Sequence, residues 1–322
     1  MSDLRLEDIG FYTLSDDRAR NSSEKTPLQR CELILTGRCN FKCPYCRGLR
    51  PDFKNELSYD EAEEIVDAWI AEGLQNIRFS GGEPTLWQGL AQLAWHCKKN
   101  GVQRIAVSSN GSADLWTYEN LVRHGVNDFS ISLDSGCCAI GDKMAGGVKG
   151  SWQKVVANIK EISKFCYVTV GVVFTETNVS QAIETIKFAD SLGVRDIRVI
   201  SSAQFNQGIK ALSEVPQDLL DRHPILKYRV ENFRNDVPIR GLQEHDCSKC
   251  KMVLDDMAVM GGYHFPCIIY MREGGDPIGK VGPRMREERK AWYDAHDSFK
   301  DRICSSNCLD VCVAFNDKAA KR

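Results

Sequence analysis

The sequence predicts an α/β protein, a partial (β/α)6 TIM-like barrel followed by a cysteine-rich C-terminal extension. Two observations carry this. Six short apolar segments alternate with amphipathic stretches over residues 31–204, as parallel strands with right-handed crossover helices require. Residues 205–246 do not continue the alternation, so the barrel stays two units short of closure.

The strand candidates are Cys31–Thr36, Asn76–Ser80, Arg104–Ser108, Asp128–Leu133, Tyr167–Phe174 and Asp196–Ile200. Each is rich in Val, Ile or Phe and ends in polar residues or Gly. The clearest helix is Tyr59–Glu72. Ser58 and Glu61 form a capping box, Ala62, Ile65, Val66, Trp69 and Ile70 recur at helical spacing, and Gly73 follows. Ser151–Phe165 and Ser180–Leu192 are similarly amphipathic. The division expected is an N-terminal arm over 1–30, the barrel over 31–204, a connector over 205–246, a second cysteine region over 247–315 and a frayed polar tail over 316–322. In the arm, Phe11, Tyr12 and Leu14 are candidates for pinning it to the barrel. The connector is expected to hold a helix over Gln217–Tyr228 and an extended stretch over Val237–Leu242.

The chain has 322 residues, with 42 Lys and Arg against 44 Asp and Glu. This balance gives no case for a nucleic-acid partner. No secretory signal follows Met1, and the apolar run around Tyr167–Phe174 is too short to span a bilayer. A cytoplasmic protein with no membrane partner is expected. Fourteen cysteines are then better explained by metal or catalysis than by disulfides.

Cys39, Cys43 and Cys46 stand at C-x3-C-x2-C directly after the first strand. Thiolates suit iron–sulfur clusters or zinc. Three of them ligate three irons of a cubane and leave the fourth open to a small molecule. A structural zinc site would want a fourth ligand, and the next are His96 and Cys97. Tyr45 before the last cysteine also favours the cluster.

This spacing, with an aromatic before the last cysteine, resembles the radical S-adenosylmethionine (SAM) superfamily. Ser80-Gly81-Gly82-Glu83-Pro84 after the second strand looks like that family's GGE motif. By the resemblance, the glycines let backbone approach the ligand and Glu83 accepts a hydrogen bond from the SAM amino group. Ser109, Asn110 and Ser132 look like further SAM contacts, with Asn178 and Val199–Ile200 where the family meets ribose and adenine. Turn chemistry and ordinary strand ends are the alternative for each. The resemblance implies a [4Fe–4S] cluster that binds SAM. One electron cleaves S–C5′ to methionine and a 5′-deoxyadenosyl radical, which abstracts a substrate hydrogen. A flavodoxin- or ferredoxin-type reductant is implied.

Cys247, Cys250 and Cys267 follow a C-x2-C-x16-C pattern, and Cys304, Cys308 and Cys312 a C-x3-C-x3-C pattern. The last spacing would place its thiols near one face of a single helix. The region resembles the auxiliary-cluster (SPASM or twitch) extension of radical SAM enzymes, as in the molybdopterin-pathway GTP cyclase group. It implies a second [4Fe–4S] cluster on Cys247, Cys250 and Cys267, with one of the last three as fourth ligand. A zinc knuckle is the alternative. Cys137 and Cys138, just past the fourth strand, are candidate hydrogen-atom donors; packing cysteines are the alternative. Cys31, Cys97 and Cys166 fit core positions.

The function expected is a radical SAM enzyme acting on an unknown, small-molecule substrate by cyclisation, dehydrogenation or epimerisation. The alternative is a maturase of a peptide or of a nucleic-acid modification. A non-catalytic iron–sulfur or zinc protein leaves the Gly-Gly-Glu segment without a role.

Overall fold

The computed structural model describes residues 16–47, 51–54, 56–203, 205 and 209–320; Phe11, Tyr12 and Leu14 lie outside them. In chain order the elements begin with α1 (Asp16–Asn21), β1 (Arg30–Thr36), α2 (Tyr59–Ala71), β2 (Asn76–Gly81), α3 (Leu90–Lys99) and β3 (Arg104–Ser109). Next come α4 (Leu115–Arg123), β4 (Asp128–Ser132), α5 (Cys138–Met144), α6 (Ser151–Ile162), β5 (Tyr167–Phe174), α7 (Ala182–Ser191) and β6 (Asp196–Ser201). Then α8 (Gln217–Arg222), α9 (Pro224–Arg234), β7 (Asp256–Met260), β8 (Tyr263–Phe265), α10 (Ile268–Arg272) and β9 (Gly279–Lys280) follow. The chain ends with α11 (Met285–Ala295), α12 (Arg302–Asn307) and α13 (Asp310–Ala320). Six βα units in succession give the mixed α/β, partial-barrel class expected, with a cysteine-rich C-terminal extension.

Two compact units divide the chain, and they cut across its linear order. One comprises residues 1–38, 48–106 and 240–322; the other comprises 39–47 and 107–239. In the first, β2 pairs parallel with β1, and β1 pairs parallel with β7. The antiparallel β7–β8–β9 set follows. Arg30 opposes Asp256 in the β1–β7 register, and their side chains form an ion pair at 2.6 Å. Ile34, Ala258, Met260, Phe265 and Met271 form a buried cluster around these strands. In the second unit β4, β5 and β6 pair in parallel. The near-continuous apolar run of β5 is the signature of a strand buried on both faces.

The capping box at α2 forms as expected, with Ser58 N–H donating to Glu61 Oε2 at 2.8 Å and Glu61 N–H to Ser58 Oγ at 3.3 Å. Cys31, Cys97 and Cys166 are buried. Five expectations need correction. The arm, expected from its polar composition to hold little regular structure, contains α1, which packs with α13 and places Ala19 against Phe315 and Ala319. The single helix over Gln217–Tyr228 is broken at His223, because the residue before Pro224 is pushed out of the helical region (φ −126°, ψ 85°). The extended stretch expected over Val237–Leu242 joins no sheet; Arg240 makes an isolated bridge to Leu309. The 304–312 stretch is two helices, α12 ending at Asn307 with Cys308 as its C-cap and α13 starting at Asp310, so its thiols do not share one helix face. The tail is helical to Ala320, since Val311, Phe315 and Ala319 recur at i, i+4, i+8 and are buried.

Candidate functional site

The three-cysteine loop Cys39–Arg47 belongs to the second unit. Cys39 and Cys46 are exposed and Cys43 is half-buried. A turn from Cys46 N–H to Cys43 O (3.0 Å) shapes the loop, and Phe41 N–H points at Cys39 Sγ (3.4 Å). Lys42 N–H donates to Ala145 O at 3.2 Å. Tyr45 Oη–H donates to Asp134 Oδ2 at 2.6 Å, and Val173 N–H donates to Asp134 Oδ1 at 2.8 Å. The aromatic between the cysteines is thus a strut from the loop to the ends of β4 and β5. Burial pushes the Cys43 thiol up to about 12 and the Asp134 carboxyl up to about 6.

Asn110 follows β3 and lies beside this loop. Its Nδ2 donates to Asn40 Oδ1 at 2.8 Å and lies 4.0 Å from Cys39 Sγ. Ser109 Oγ faces inward, accepting from Gly111 N–H at 3.0 Å and sharing a hydrogen bond with Tyr118 Oη at 3.2 Å. Ser132 is exposed at the C-terminal end of β4. Asn178 is fully buried and braces the β4 and β5 ends through Asp134 O (2.7 Å) and Val173 O (2.9 Å). Cys137 stands at the N-cap position of α5 without a side-chain cap bond, its Sγ 3.7 Å from Ser135 Oγ and 3.9 Å from Gln181 Oε1, while Cys138 is exposed.

The Gly-Gly-Glu segment belongs to the first unit, where it closes β2 against the end of β1. Gly82 N–H donates to Thr36 O and Glu83 N–H to Arg38 O, both at 2.7 Å. A Cβ on Gly81 would lie 2.3 Å from Thr36 O, and one on Gly82 equally close to Arg38 O. The glycines are therefore imposed by backbone approach. Glu83 is buried, with Oε1 accepting from Thr85 Oγ1 at 2.7 Å.

All six C-terminal cysteines line one cavity of ≈ 40 Å³ in the first unit. Cys247 and Cys250 sit on a loop that Lys249 and Lys251 tie down. Lys249 Nζ donates to the carbonyls of Tyr293, Asp294 and His296 at 2.7–3.2 Å, and Lys251 Nζ to Ala319 O at 2.8 Å. Both lysines cap helix C-termini, where cations are favoured. Cys267 caps α10, its Sγ accepting from Tyr270 N–H at 3.4 Å. Burial raises the thiols of Cys250, Cys267 and Cys304, while the bond to Cys312 and then burial raise Cys308. Cys247 is raised by burial and then by Asp317, which its Sγ approaches at 3.8 Å on the rim.

Among the described residues, the group of three His, Cys, Asp or Glu donors lying within 4.8 Å of one another is His296, Asp301 and Cys304. Asp301 is already engaged, with Oδ1 capping α12 at Ile303 and Cys304 and Oδ2 accepting from Tyr270 Oη–H at 2.9 Å. His296 stacks on Trp292 at 3.8 Å and holds Nε2 3.5 Å from Cys304 Sγ. Neither Cys39, Cys43 and Cys46 nor any three C-terminal cysteines come that close. Both sets offer thiols alone, the soft ligand type that iron–sulfur clusters take.

Residues 33–189 match the model of the Radical SAM superfamily. The fold and this match define a radical SAM domain carrying an auxiliary C-terminal extension. A GTP 3′,8-cyclase of Mannheimia succiniciproducens is 37% identical over 140 residues, 42% of this chain and 40% of that protein. Streptococcus suis SuiB bound to precursor peptide SuiA superposes with TM-score 0.61 at 16% identity, over 84% of this chain and 65% of that one. The protein anSMEcpe with bound AdoMet and Kp18Cys peptide superposes with TM-score 0.59 at 16% identity, over 86% and 82%. The chain thus resembles several families of radical SAM proteins and spans well under two thirds of the length of that cyclase.

Sequence reasoning did not find the Tyr45–Asp134 strut, the lysine caps or His296. The strut joins residues 89 apart, which no local pattern reveals. The His296 ring follows Trp292 at i+4 at the end of α11, a spacing that could have marked it.

Proposed function

We propose that the chain is a radical SAM enzyme whose N-terminal cluster is held by Cys39, Cys43 and Cys46, with SAM on the open iron. The observation that carries this is the three-thiol loop directly after β1, inside the stretch 33–189 that matches the Radical SAM superfamily. With SAM and one electron, the cluster supplies a 5′-deoxyadenosyl radical that takes a substrate hydrogen. The chain's own part is to hold the loop through Tyr45 and Asp134 and to orient SAM with Gly81, Gly82, Glu83, Asn110 and Ser132. Ser109 acts from behind, through its bond to Gly111. A flavodoxin- or ferredoxin-type donor supplies the electron, and the cell compartment is the cytoplasm; no described helix is long and apolar enough to cross a membrane.

The C-terminal cavity holds a second [4Fe–4S] cluster, with ligands drawn from Cys247, Cys250, Cys267, Cys304, Cys308 and Cys312. Its substrate is a peptide side chain. Support comes from the likeness to SuiB and anSMEcpe, which extends over 84–86% of this chain, whereas the cyclase alignment covers 42%. The cyclase identity of 37% favours a second reading, a nucleotide-sized substrate. For an epimerisation, Cys138 is the exposed thiol able to return the hydrogen atom, with Cys137 behind it.

The test is anaerobic reconstitution, then SAM and dithionite with either GTP or a pooled peptide library carrying each amino acid at its centre. A mass change in library peptides, coupled to 5′-deoxyadenosine, is expected. GTP-dependent 5′-deoxyadenosine with unchanged peptides would move the substrate to the second reading. Cys138→Ala is expected to spare SAM cleavage.

A further inference from the structure

We infer that Arg289 is the built-in counter-charge of the C-terminal cluster site, a positioning residue that fixes the backbone leading into Cys267 and raises the reduction potential of the cluster beside it. The inference rests on the reading that the six-cysteine cavity holds a cluster.

Arg289 lies on α11 and is 1% exposed. Its guanidinium is saturated by hydrogen bonds. Nε donates to Val253 O and Nη2 to Asp256 O, both at 2.6 Å; Nη1 donates to Phe265 O at 3.1 Å and to His264 Nδ1 at 3.3 Å; Nη2 also reaches Pro266 O at 3.5 Å. Two of these carbonyls belong to the residues immediately before Cys267. The clamp therefore sets where that thiol stands.

Every one of these acceptors is neutral. Accepting at Nδ1 leaves His264 with its proton on Nε2, facing Glu288 Oε2 at 3.1 Å. The nearby carboxylates are engaged elsewhere: Asp256 with Arg30 at 2.6 Å, Asp255 with Arg18 at 3.1 Å. A fully buried guanidinium normally has a carboxylate partner, because an uncompensated buried charge is costly. Burial works against the Arg289 charge; the Asp256 carboxylate opposes that most, and the thiols of Cys250, Cys267 and Cys31 come next. Cys250 and Cys267 line the cavity; Cys31 is a core residue. As neutral thiols they offset nothing. As iron-bound thiolates they add negative charge to that of Asp256. Reduction adds one electron to that anionic group, so a fixed cation alongside favours the reduced form.

A purely mechanical clamp would give the same geometry but no electrostatic signature. The test uses the full chain with Cys39, Cys43 and Cys46 changed to Ala, so that iron and the dithionite-titrated signal report the C-terminal site alone. Arg289, Arg289→Lys and Arg289→Gln are compared after anaerobic reconstitution. The expected result is iron bound in all three, a midpoint more negative in Arg289→Gln, and Arg289→Lys nearer the parent. Equal midpoints in Gln and parent, or equal shifts in Lys and Gln, would overturn the inference while leaving the cluster intact. No iron in the Arg289 parent would instead sink the cluster reading and the inference with it. Should Arg289→Gln fail to fold, hydrogen exchange on the unaltered chain decides. Cluster loading is expected to protect α11 and residues 264–267 more than α2, and equal protection is the contrary result.

Discussion

Tyr45 shows how one side chain joins chemistry to fold. Its hydroxyl bonds a buried carboxylate that also takes an amide from β5. Tyr45→Phe leaves Asp134 short of a donor, an omission that costs about 1–3 kcal/mol at a buried acceptor. The expected outcome is a lower melting temperature and several-fold faster iron loss from the N-terminal loop to a chelator, with the C-terminal iron unaffected. Gly82→Ala is expected to be more severe, because its Cβ meets the Arg38 carbonyl backbone rather than a movable side chain. Circular dichroism and SAM-binding titration check this; a folded, SAM-binding variant would refute the close-approach argument. The two glycines were legible in the sequence because only glycine fits such a contact. Asp134 was not, since a hydrogen bond between distant loops leaves no spacing to read.

At the scale of elements, helix ends decide where the thiols stand. Lys249 caps α11 through three carbonyls, so Lys249→Met is expected to lower stability by about 1–2 kcal/mol and to raise hydrogen exchange at the α11 C-terminus. Asp196 does a related task at the start of α9, accepting from Ile225 N–H at 3.1 Å. Burial pushes its carboxyl up to about 6, against the amides that bond it. A carboxyl raised on folding binds more protons folded than unfolded between pH about 4 and about 6. Its contribution is therefore fully present below pH about 4 and lost as pH rises through about 6. The stability gap between parent and Asp196→Asn should narrow over that window, by roughly 2 kcal/mol, in denaturant melts at each pH. A gap that widens with pH would contradict the burial argument. The β strands and the α2 cap were legible from alternation and from Ser58 and Glu61. The break at His223 was signalled by Pro224 and overridden by the apolar periodicity around it. The α12–α13 division was hidden because cysteines at four-residue spacing mimic one helix.

For the molecule as a whole, the linear plan of barrel, connector and extension does not describe the compact units. One unit gathers the chain start, β1, β2 and everything after residue 240. The cause is β7, which pairs with β1 in parallel register. Its sequence Asp-Met-Ala-Val-Met is too short and too plain to announce a strand, yet all five residues are buried. The cysteines were legible because ligand chemistry restricts residue type and spacing. The substrate was not, because the bound cofactor would carry the reaction and leave the chain free to vary its contacts. Replacing Cys250 and Cys267 by Ala is expected to lower the thermal stability of the first unit, read by hydrogen exchange at α10 and α13, and to leave β4–β6 protected as before.

The central claim is that the Cys39–Cys46 loop holds an iron–sulfur cluster that cleaves SAM. Anaerobically reconstituted chain, given SAM and dithionite, should form 5′-deoxyadenosine and methionine in equal amounts, and Cys39→Ala, Cys43→Ala and Cys46→Ala should each abolish both while retaining the C-terminal iron. Production of 5′-deoxyadenosine undiminished by those changes, or none from an iron-replete parent, would contradict the account.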